Sequence, residues 1–357
     1  MVPGFVRSTV RAMEGYAPGE QPAAGVQVVK LNTNENPFPP SPNVMRAIRG
    51  LAPEHLQRYP NATGDQFRQV AGEMLGLSAD HILCGNGSDD ILTIATRTFL
   101  APGDTLAYPE PTYSLYPVLA KLQDAKVRAV AWEKDWSLPI DALLATQAGA
   151  IFVANPNAPS GTLTPVSAIA RVAAAFKGLL LVDEAYADFA SFTCAGLVTE
   201  FPNVVIARSL SKAYSLAGLR FGYAIAQPAV INEMMKVKDS YNCDAISIAA
   251  ATAAIQDQDY AQMTWRHVRS ERERVSAELS QLGFSVTPSH ANFIFASVPG
   301  GRGESLYLAL KQQGILVRYF DKSNMMDKLR ITIGTVQEND ALLAGVKAAL
   351  PAAEKSV

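Results

Sequence analysis

Short apolar runs alternate with segments of helical periodicity through the middle of the chain. The apolar runs cover residues 80–84, 105–108, 150–154, 179–182 and 204–207. Ser88 is predicted to cap a helix that follows the first run. A later helix is predicted from Thr164 and Pro165 to Lys177. Because the run at 179–182 has no polar residue, both faces of its sheet should be covered. The alternation predicts an α/β domain in which helices flank a mostly parallel sheet.

The two ends of the chain follow different patterns. Prolines are frequent at 18–22 and 36–42, so residues 1–42 are predicted to form an extended N-terminal arm with a short strand at 28–31. Residues 43–245 carry the strand and helix alternation. After residue 245 come a long charged helix at 260–282 and several short strands. We therefore expect a large domain over 43–245 and a smaller α+β domain over 246–357.

Composition narrows the possible classes of function. The 357 residues are 48% hydrophobic and 18% charged, which predicts a folded core and excludes extensive disorder. The 31 Lys and Arg and 33 Asp and Glu residues give a net charge of −2, so neither a nucleic acid nor a membrane partner is expected. The N-terminus lacks the apolar stretch of a signal peptide. Three scattered cysteines and four scattered histidines predict a cytoplasmic protein without a bound metal.

Polar residues follow several of the predicted strands. In open parallel sheets, ligands bind beyond the carboxyl ends of the strands. The residues at these ends are Gly87, Ser88, Asp89, Tyr113, Asn157, Asp183, Tyr186, Ser209, Ser211 and Lys212. Gly87 to Asp89 open a helix and form a candidate anion site, and the alternative is an ordinary capped helix.

Asp183 and Lys212 are the candidate reactive groups. A buried carboxylate needs a cation or several hydrogen bonds, so Asp183 either forms a structural salt bridge or keeps a heteroaromatic ring nitrogen protonated. Lys212 is either a surface lysine or a desolvated amine nucleophile. Ser209, Ser211 and Arg220 around it supply the hydroxyls and the guanidinium of a phosphate cup. Together these groups predict a site for pyridoxal phosphate.

Several motifs resemble those of the fold-type I pyridoxal-phosphate aminotransferases. They are GNGSDD, PEPTYSLY, NPNAPSG, VDEAY and SLSKAYSLAGLRFGY. The segments LNTNENPFPPSP, VRYF and LRITIGT narrow the resemblance to the histidinol-phosphate aminotransferase family. The resemblance covers nearly the whole chain and implies a homodimer.

The resemblance also implies roles for individual residues. Lys212 would form the Schiff base and move the proton, and Asp183 would pair with the ring nitrogen. Tyr113 would stack on the ring, and Tyr186 would bind the ring hydroxyl. The phosphate would be held by the hydroxyl, guanidinium or backbone N–H groups of Gly87, Ser88, Ser209, Ser211 and Arg220. Asp89 is also expected to bind the cofactor. Tyr59 would reach the neighbouring subunit's cofactor, and the alternative is an ordinary buried tyrosine.

Many relatives have an asparagine where this chain has Ala158, and that asparagine contacts the ring hydroxyl of the cofactor. Asn157 is therefore expected to supply the amide here.

The expected substrate residues lie at both ends of the chain. Arg330 lies on an apolar strand without a local partner and needs an anion. Arg318 would add a second positive charge, and the alternative is a surface salt bridge. Tyr16 in the arm would close over the substrate, and Asn36 is also expected to bind it.

Four functions are compatible with these residues. The first is transamination between histidinol phosphate and 2-oxoglutarate in histidine biosynthesis, with pyridoxal phosphate as cofactor. The second is the same chemistry on aromatic amino acids, and the third is a pyridoxal-phosphate decarboxylase on the same scaffold. The fourth is a non-catalytic binding protein that retains the fold, against which the intact Lys212, Asp183 and Arg220 argue.

Overall fold

The computed structural model describes residues 4–16, 19–22 and 25–350 of the chain. Its strands are β1 Val29–Lys30, β2 Ile82–Gly85, β3 Thr105–Glu110, β4 Lys126–Ala131, β5 Ala150–Ala154, β6 Leu179–Asp183, β7 Val204–Ser209, β8 Gly222–Ile225, β9 Ser285–Thr287, β10 Phe293–Ser297, β11 Ile315–Leu316, β12 Arg318–Tyr319 and β13 Lys328–Thr332. Its α-helices are α1 Ser8–Ala12, α2 Pro42–Arg49, α3 Pro53–Gln57, α4 Asp65–Leu75, α5 Ser88–Phe99, α6 Leu115–Leu122, α7 Ile140–Ala145, α8 Val166–Ala175, α9 Leu197–Glu200, α10 Leu210–Ala213, α11 Pro228–Met235, α12 Ala245–Gln256, α13 Gln258–Gln281, α14 Gly303–Gln312 and α15 Val336–Ala349.

A seven-stranded sheet forms the centre of the molecule. Its strand order is β2-β8-β7-β6-β5-β3-β4, and all neighbours are parallel except β8, which runs antiparallel to β2 and β7. Strands β5 and β6 are buried along their whole length, as their continuous apolar runs predict. The arrangement confirms the predicted fold class.

Two strands of this sheet carry no clear signal in the sequence. Strand β4 is one of the two edge strands of the sheet. None of its residues is fully buried, and it lacks a continuous apolar run. Strand β8 is four residues long and begins with Gly222, directly after an irregular loop. Its place in the sheet is determined by pairing with β2 and β7, because its own residues show no strand pattern.

The structure corrects three local predictions. Gly87, with φ 86°, is the N-cap of α5, and Ser88 is the first helical residue. Pro165 is the N-cap of α8, because Thr164 is held in the preceding loop by backbone hydrogen bonds to the Asn155 side chain. The arm is not extended throughout, since α1 forms in a stretch that contains no proline.

A second sheet follows the long helix α13. Its four strands are antiparallel in the order β12-β13-β10-β9. Strand β1 of the arm pairs in parallel with β11, so Val29 lies opposite Ile315. One continuous hydrophobic cluster contains residues of both sheets. The domain limits at 42/43 and 245/246 therefore stay predictions. Among the described helices, none combines the length and apolar character that a membrane span requires.

Candidate active site

A cavity of about 860 Å³ lies where the carboxyl ends of the parallel strands face β12, β13 and the arm. Most of the predicted site residues line it. They are Tyr16, Ser88, Asp89, Tyr113, Asp183, Tyr186, Ser209, Ser211, Lys212, Arg220, Arg318 and Arg330. The fold therefore brings together residues that are separated by more than 300 positions in the chain.

Hydroxyl and guanidinium groups gather at the start of α5. Arg220 donates from Nη1 to Ser211 Oγ at 3.2 Å and from Nη2 to Asp89 Oδ2 at 3.0 Å. The Ser209 hydroxyl accepts from the Ser211 backbone N–H at 3.2 Å. Gly87 does not line the cavity but lies against this guanidinium, because a Cβ on it would lie 2.7 Å from Arg220 Nη2. These contacts form a cup whose donor groups suit a phosphate.

The Lys212 amine points into the cavity and donates to the Thr33 carbonyl oxygen at 2.9 Å. Burial lowers the pKa of this amine to about 8, and the positive charges of Arg330 and Arg220 act in the same direction. The Glu35 carboxylate opposes this effect. A larger fraction of the amine is therefore neutral near pH 7 than in an exposed lysine, as a nucleophile requires.

Asp183 ends β6 with its carboxylate held by two donors. The Tyr116 hydroxyl donates to Oδ2 at 2.8 Å, and the Ala185 backbone N–H donates to Oδ1 at 3.2 Å. Burial raises the pKa of this carboxyl to about 6, although both hydrogen bonds oppose the rise. The salt bridge at this strand end is formed instead by Glu184, which accepts from Arg208 Nε at 2.8 Å. Asp183 is thus left as an ionised acceptor at neutral pH that faces the cavity.

Three tyrosines surround the space between Asp183 and the arm. The Tyr113 hydroxyl donates to Asp89 Oδ1 at 3.0 Å, and the Tyr16 ring meets the Tyr113 ring edge-on with 5.8 Å between centroids. The Tyr186 hydroxyl accepts from the Asn34 side-chain amide at 3.0 Å. Burial raises the pKa of Tyr186, so its hydroxyl remains protonated at neutral pH and can donate into the cavity.

Arg318 and Arg330 lie directly opposite each other on β12 and β13. Like charges in this position repel. Arg330 Nη2 donates to the Asn32 carbonyl oxygen at 2.9 Å, whereas its buried Nε has no hydrogen-bond partner among the described residues. Burial lowers the pKa of Arg330, and the charge of Arg318 adds to this effect. The pair therefore forms a positive wall that an anion in the cavity would neutralise.

Besides Gly87, three predicted site residues do not line the cavity, namely Asn157, Asn36 and Tyr59. The Asn157 amide donates to the Pro111 carbonyl oxygen and to Ser160 Oγ, so Asn157 holds the loop, and its neighbour Ala158 lines the cavity instead. Asn36 donates to the backbone carbonyl oxygens of Lys212 and Ala213, so it holds the end of α10 rather than a substrate.

Tyr59 is 80% exposed and stacks on Tyr241 with 4.4 Å between ring centroids. It is therefore not the ordinary buried tyrosine of the alternative interpretation. The cavity of the same chain does not include it. The prediction that it reaches a neighbouring subunit stays a prediction.

Sequence reasoning missed Tyr116, Asn34 and Thr33. Tyr116 follows a helical pattern and has no sequence signal that separates it from the core. Asn34 adopts φ 58°, a conformation that asparagine tolerates better than most residues, and its place between two polar neighbours was the available signal. Thr33 accepts the Lys212 hydrogen bond through its backbone carbonyl oxygen, and a pattern of side chains cannot predict such a contact.

Comparison with known proteins places the chain among enzymes of one family. Residues 26–346 match the family described as aminotransferase class I and II. The chain is 44% identical over 96% of its length to histidinol-phosphate aminotransferase 1 of Trichormus variabilis, covering 98% of that protein. It is 44% identical to the histidinol-phosphate aminotransferase of Rhodopirellula baltica over 96% of this chain and 95% of that one.

A solved structure gives the same answer. The crystal structure of histidinol-phosphate aminotransferase from Sinorhizobium meliloti in complex with pyridoxal-5'-phosphate superposes with a TM-score of 0.90. Its sequence is 25% identical, and the match covers 98% of both chains. This agrees with the resemblance carried by the motifs. The chain belongs to the aminotransferase class I and II family.

Proposed function

We propose that the protein is a pyridoxal-phosphate-dependent aminotransferase of histidine biosynthesis that transfers an amino group between histidinol phosphate and 2-oxoglutarate. The family and the names of the relatives support this reaction. The observation that carries it is that one cavity holds the Lys212 amine, the Asp183 carboxylate and two separate cationic sites. These sites are Arg220 and the pair formed by Arg318 and Arg330. We further propose that it acts in the cytoplasm as a homodimer, with Tyr59 exposed for contact with the neighbouring subunit's site.

The residues present fit pyridoxal phosphate. Ser209, Ser211 and Arg220 supply donors for the phosphate, and the lack of a Cβ at Gly87 leaves room for the Arg220 guanidinium. Asp183 is the acceptor for the ring nitrogen, and Tyr186 is the donor to the ring hydroxyl. Tyr113 offers a ring for stacking.

When bound, the cofactor supplies an electron sink for the carbanion character that develops at the substrate Cα. The chain's own residues bind, orient and move protons. Lys212 holds and transfers a proton at Nζ, because a pKa near 8 lets the amine gain and lose it near neutral pH. Asp183 keeps a negative charge at the ring nitrogen above about pH 6. Tyr16 of the arm lines the cavity beside Tyr113 and would close over the substrate.

Arg318 and Arg330 are the proposed substrate-anion site. A guanidinium fork accepts both phosphate and carboxylate oxygens, so the same pair can bind a phosphate ester in one half-reaction and a dicarboxylate in the other. The two opposed charges favour the dianion of a phosphate ester over the uncharged ring of an aromatic amino acid. This charge pattern favours histidinol phosphate over phenylalanine.

A coupled assay of the reconstituted enzyme tests the proposal. The kcat/KM for histidinol phosphate with 2-oxoglutarate should exceed that for phenylalanine by at least about 100-fold, since two or more charge-assisted hydrogen bonds are involved. Histidinol without its phosphate is the matched control and should react as poorly as phenylalanine. A preference for phenylalanine would make the enzyme an aromatic aminotransferase. Release of carbon dioxide without an oxo acid would make it a decarboxylase, and failure to bind the cofactor would remove every catalytic interpretation.

A further inference from the structure

Tyr116 connects the core of the molecule to the candidate active site. It lies in the first turn of α6, and its side chain is 0% exposed. Its hydroxyl donates to Asp183 Oδ2 at 2.8 Å. Asp183 is the residue proposed to bind the cofactor's ring nitrogen, so the Tyr116 hydroxyl acts on the cofactor indirectly, through Asp183.

Aromatic packing fixes the direction of this hydroxyl. The Tyr116 ring meets the rings of Tyr113, Phe152 and Tyr108 edge-on, with 5.7, 5.5 and 6.0 Å between centroids. Such contacts on several sides leave a buried ring few alternative rotamers. The hydroxyl is therefore preorganised toward Asp183, and the same ring supports Tyr113, the proposed stacking residue.

The charges that face Asp183 make this donor necessary. Asp89 of α5 and the neighbouring Glu184 are both acidic, and both disfavour a further negative charge on Asp183. The buried Tyr186 hydroxyl lies nearby and is itself uncharged. The donors that hold the Asp183 carboxylate are the Ala185 backbone N–H at 3.2 Å and the shorter contact from Tyr116. An ionised carboxylate in such surroundings depends on hydrogen bonds for its stability.

We propose that Tyr116 is a positioning residue of the active site, whose hydroxyl keeps the Asp183 carboxylate ionised and aimed at the position of the cofactor's ring nitrogen. The proposal rests on the assignment of Asp183 made under the proposed function. A carboxylate that loses one of its two donors is a stronger base and holds its own proton to higher pH. It also gains rotational freedom, because one of its two oxygens is no longer held.

The test compares Tyr116→Phe with Tyr108→Phe. Each change removes one hydroxyl from the same aromatic cluster, but only the first removes the bond to Asp183. In cofactor-free protein labelled with ¹³C-aspartate, the titration midpoint of the Asp183 carboxyl should rise by about one pH unit in Tyr116→Phe. It should stay unchanged in Tyr108→Phe. An Asp183→Asn spectrum assigns the signal. Equal midpoints in the two variants would overturn the proposal.

A second measurement uses binding of the cofactor. At pH 5, below both midpoints, its dissociation constant should increase about tenfold in Tyr116→Phe, because a rise of about one unit in the pKa of the Asp183 carboxyl is then worth a factor of ten. In an Asp183→Asn background, Tyr116→Phe should cause no further loss, since the partner of the hydroxyl is already altered. The same tenfold loss in both backgrounds would contradict the proposal. So would an unfolded Tyr116→Phe protein beside a folded Tyr108→Phe protein, because the hydroxyl would then be structural.

The two readouts separate this inference from the proposed function. The carboxyl titration needs no cofactor and no substrate, so it reports on the contact between Tyr116 and Asp183 alone. If the parent protein failed to bind pyridoxal phosphate while the titration shifted as expected, the proposed function would be wrong and the electrostatic role of Tyr116 would stand. An unshifted titration in an active parent enzyme would remove only the role of Tyr116.

Discussion

Replacing Arg330 by glutamine should separate substrate binding from stability. Arg330 forms one hydrogen bond to the Asn32 carbonyl oxygen, and glutamine retains an N–H donor for it. The change removes the charge of a guanidinium that lies directly opposite Arg318. The buried Nε of this guanidinium has no hydrogen-bond partner among the described residues. The folded protein therefore loses little, whereas an anionic substrate loses its guanidinium fork.

The contacts give the expected magnitudes. The guanidinium lies over the Phe293 and Phe320 rings at 5.3 and 5.7 Å, and losing both cation–π contacts costs about 1 kcal/mol of unfolding free energy. Relief of the repulsion from Arg318 returns part of this, roughly 0.2–1 kcal/mol. Replacing the charge-assisted bonds to the substrate anion by a neutral contact costs about 3 kcal/mol, or about a 150-fold loss of kcat/KM.

Steady-state kinetics of each half-reaction, with urea unfolding of the same preparations, check this expectation. Both half-reactions should slow, because histidinol phosphate and glutamate share the fork, and the unfolding free energy should stay within about 1 kcal/mol of the parent. Arg302→Gln changes an exposed arginine outside the cavity and is the matched control. A protein destabilised by more than about 3 kcal/mol, with kcat/KM per folded molecule within threefold of the parent, would show that Arg330 is structural.

The remaining predictions concern the cofactor side of the cavity. Lys212→Ala should bind pyridoxal phosphate without covalent attachment and lose at least about 10⁴-fold in turnover, measured by single-turnover absorbance, and near-normal turnover would remove its role. In the parent protein, the rate of covalent capture should rise with pH and level off above about 8, where the Lys212 amine is neutral; a midpoint near 10.5 would contradict the burial argument. Cofactor affinity should fall as the pH drops below about 6, because protonation of Asp183 removes its charge, and a flat binding profile from pH 5 to 7 would count against that residue. Gly87→Ala should cost about 1–2 kcal/mol of stability and also weaken phosphate binding by displacing Arg220. Gly103 has a similar φ of 90° but nothing within 4 Å of an added Cβ, so Gly103→Ala is the control and should lose stability without losing affinity for the cofactor. Equal cofactor affinities in the two variants would show that phosphate binding does not need the contact between Gly87 and Arg220.

The sequence could predict the groups at the strand ends because buried parallel strands have a clear signature. Their apolar runs locate β5, β6 and β7, and the carboxyl ends of adjacent parallel strands meet at one edge of the sheet. The sequence alone therefore predicts that Asp183 and Lys212 belong to one site. The signal for Arg330 is a charged residue on a mostly apolar strand, because such a charge needs a partner from another part of the molecule.

Side-chain direction within a tight loop could not be predicted in this way. Asn157 and Ala158 are adjacent, yet only Ala158 lines the cavity. The loop closes on itself through the Gly161 N–H to the Asn157 carbonyl oxygen at 2.7 Å, and the Asn157 amide turns toward Pro111. A one-residue offset thus reverses which side chain meets a ligand. Tyr116 was missed for a different reason, because the partner of a buried hydroxyl depends on how two distant elements pack.

The arrangement of charge around the cavity links ligand binding to stability. Lys212, Arg220, Arg318 and Arg330 face one cavity. Asp89 neutralises Arg220 in part, through a contact of 3.0 Å, and Glu35 acts on Lys212. Folding lowers the pKa of Lys212 from 10.5 to about 8, so the folded protein loses stability as the pH falls from about 10.5 to about 8, and the full loss is present at neutral pH. A phosphate bound in the cup supplies negative charge beside that amine and offsets the loss. The anionic groups of the cofactor and the substrate therefore balance the positive charges that line the cavity. Cofactor at 1,000 times its dissociation constant should raise the free energy of unfolding by about 4 kcal/mol.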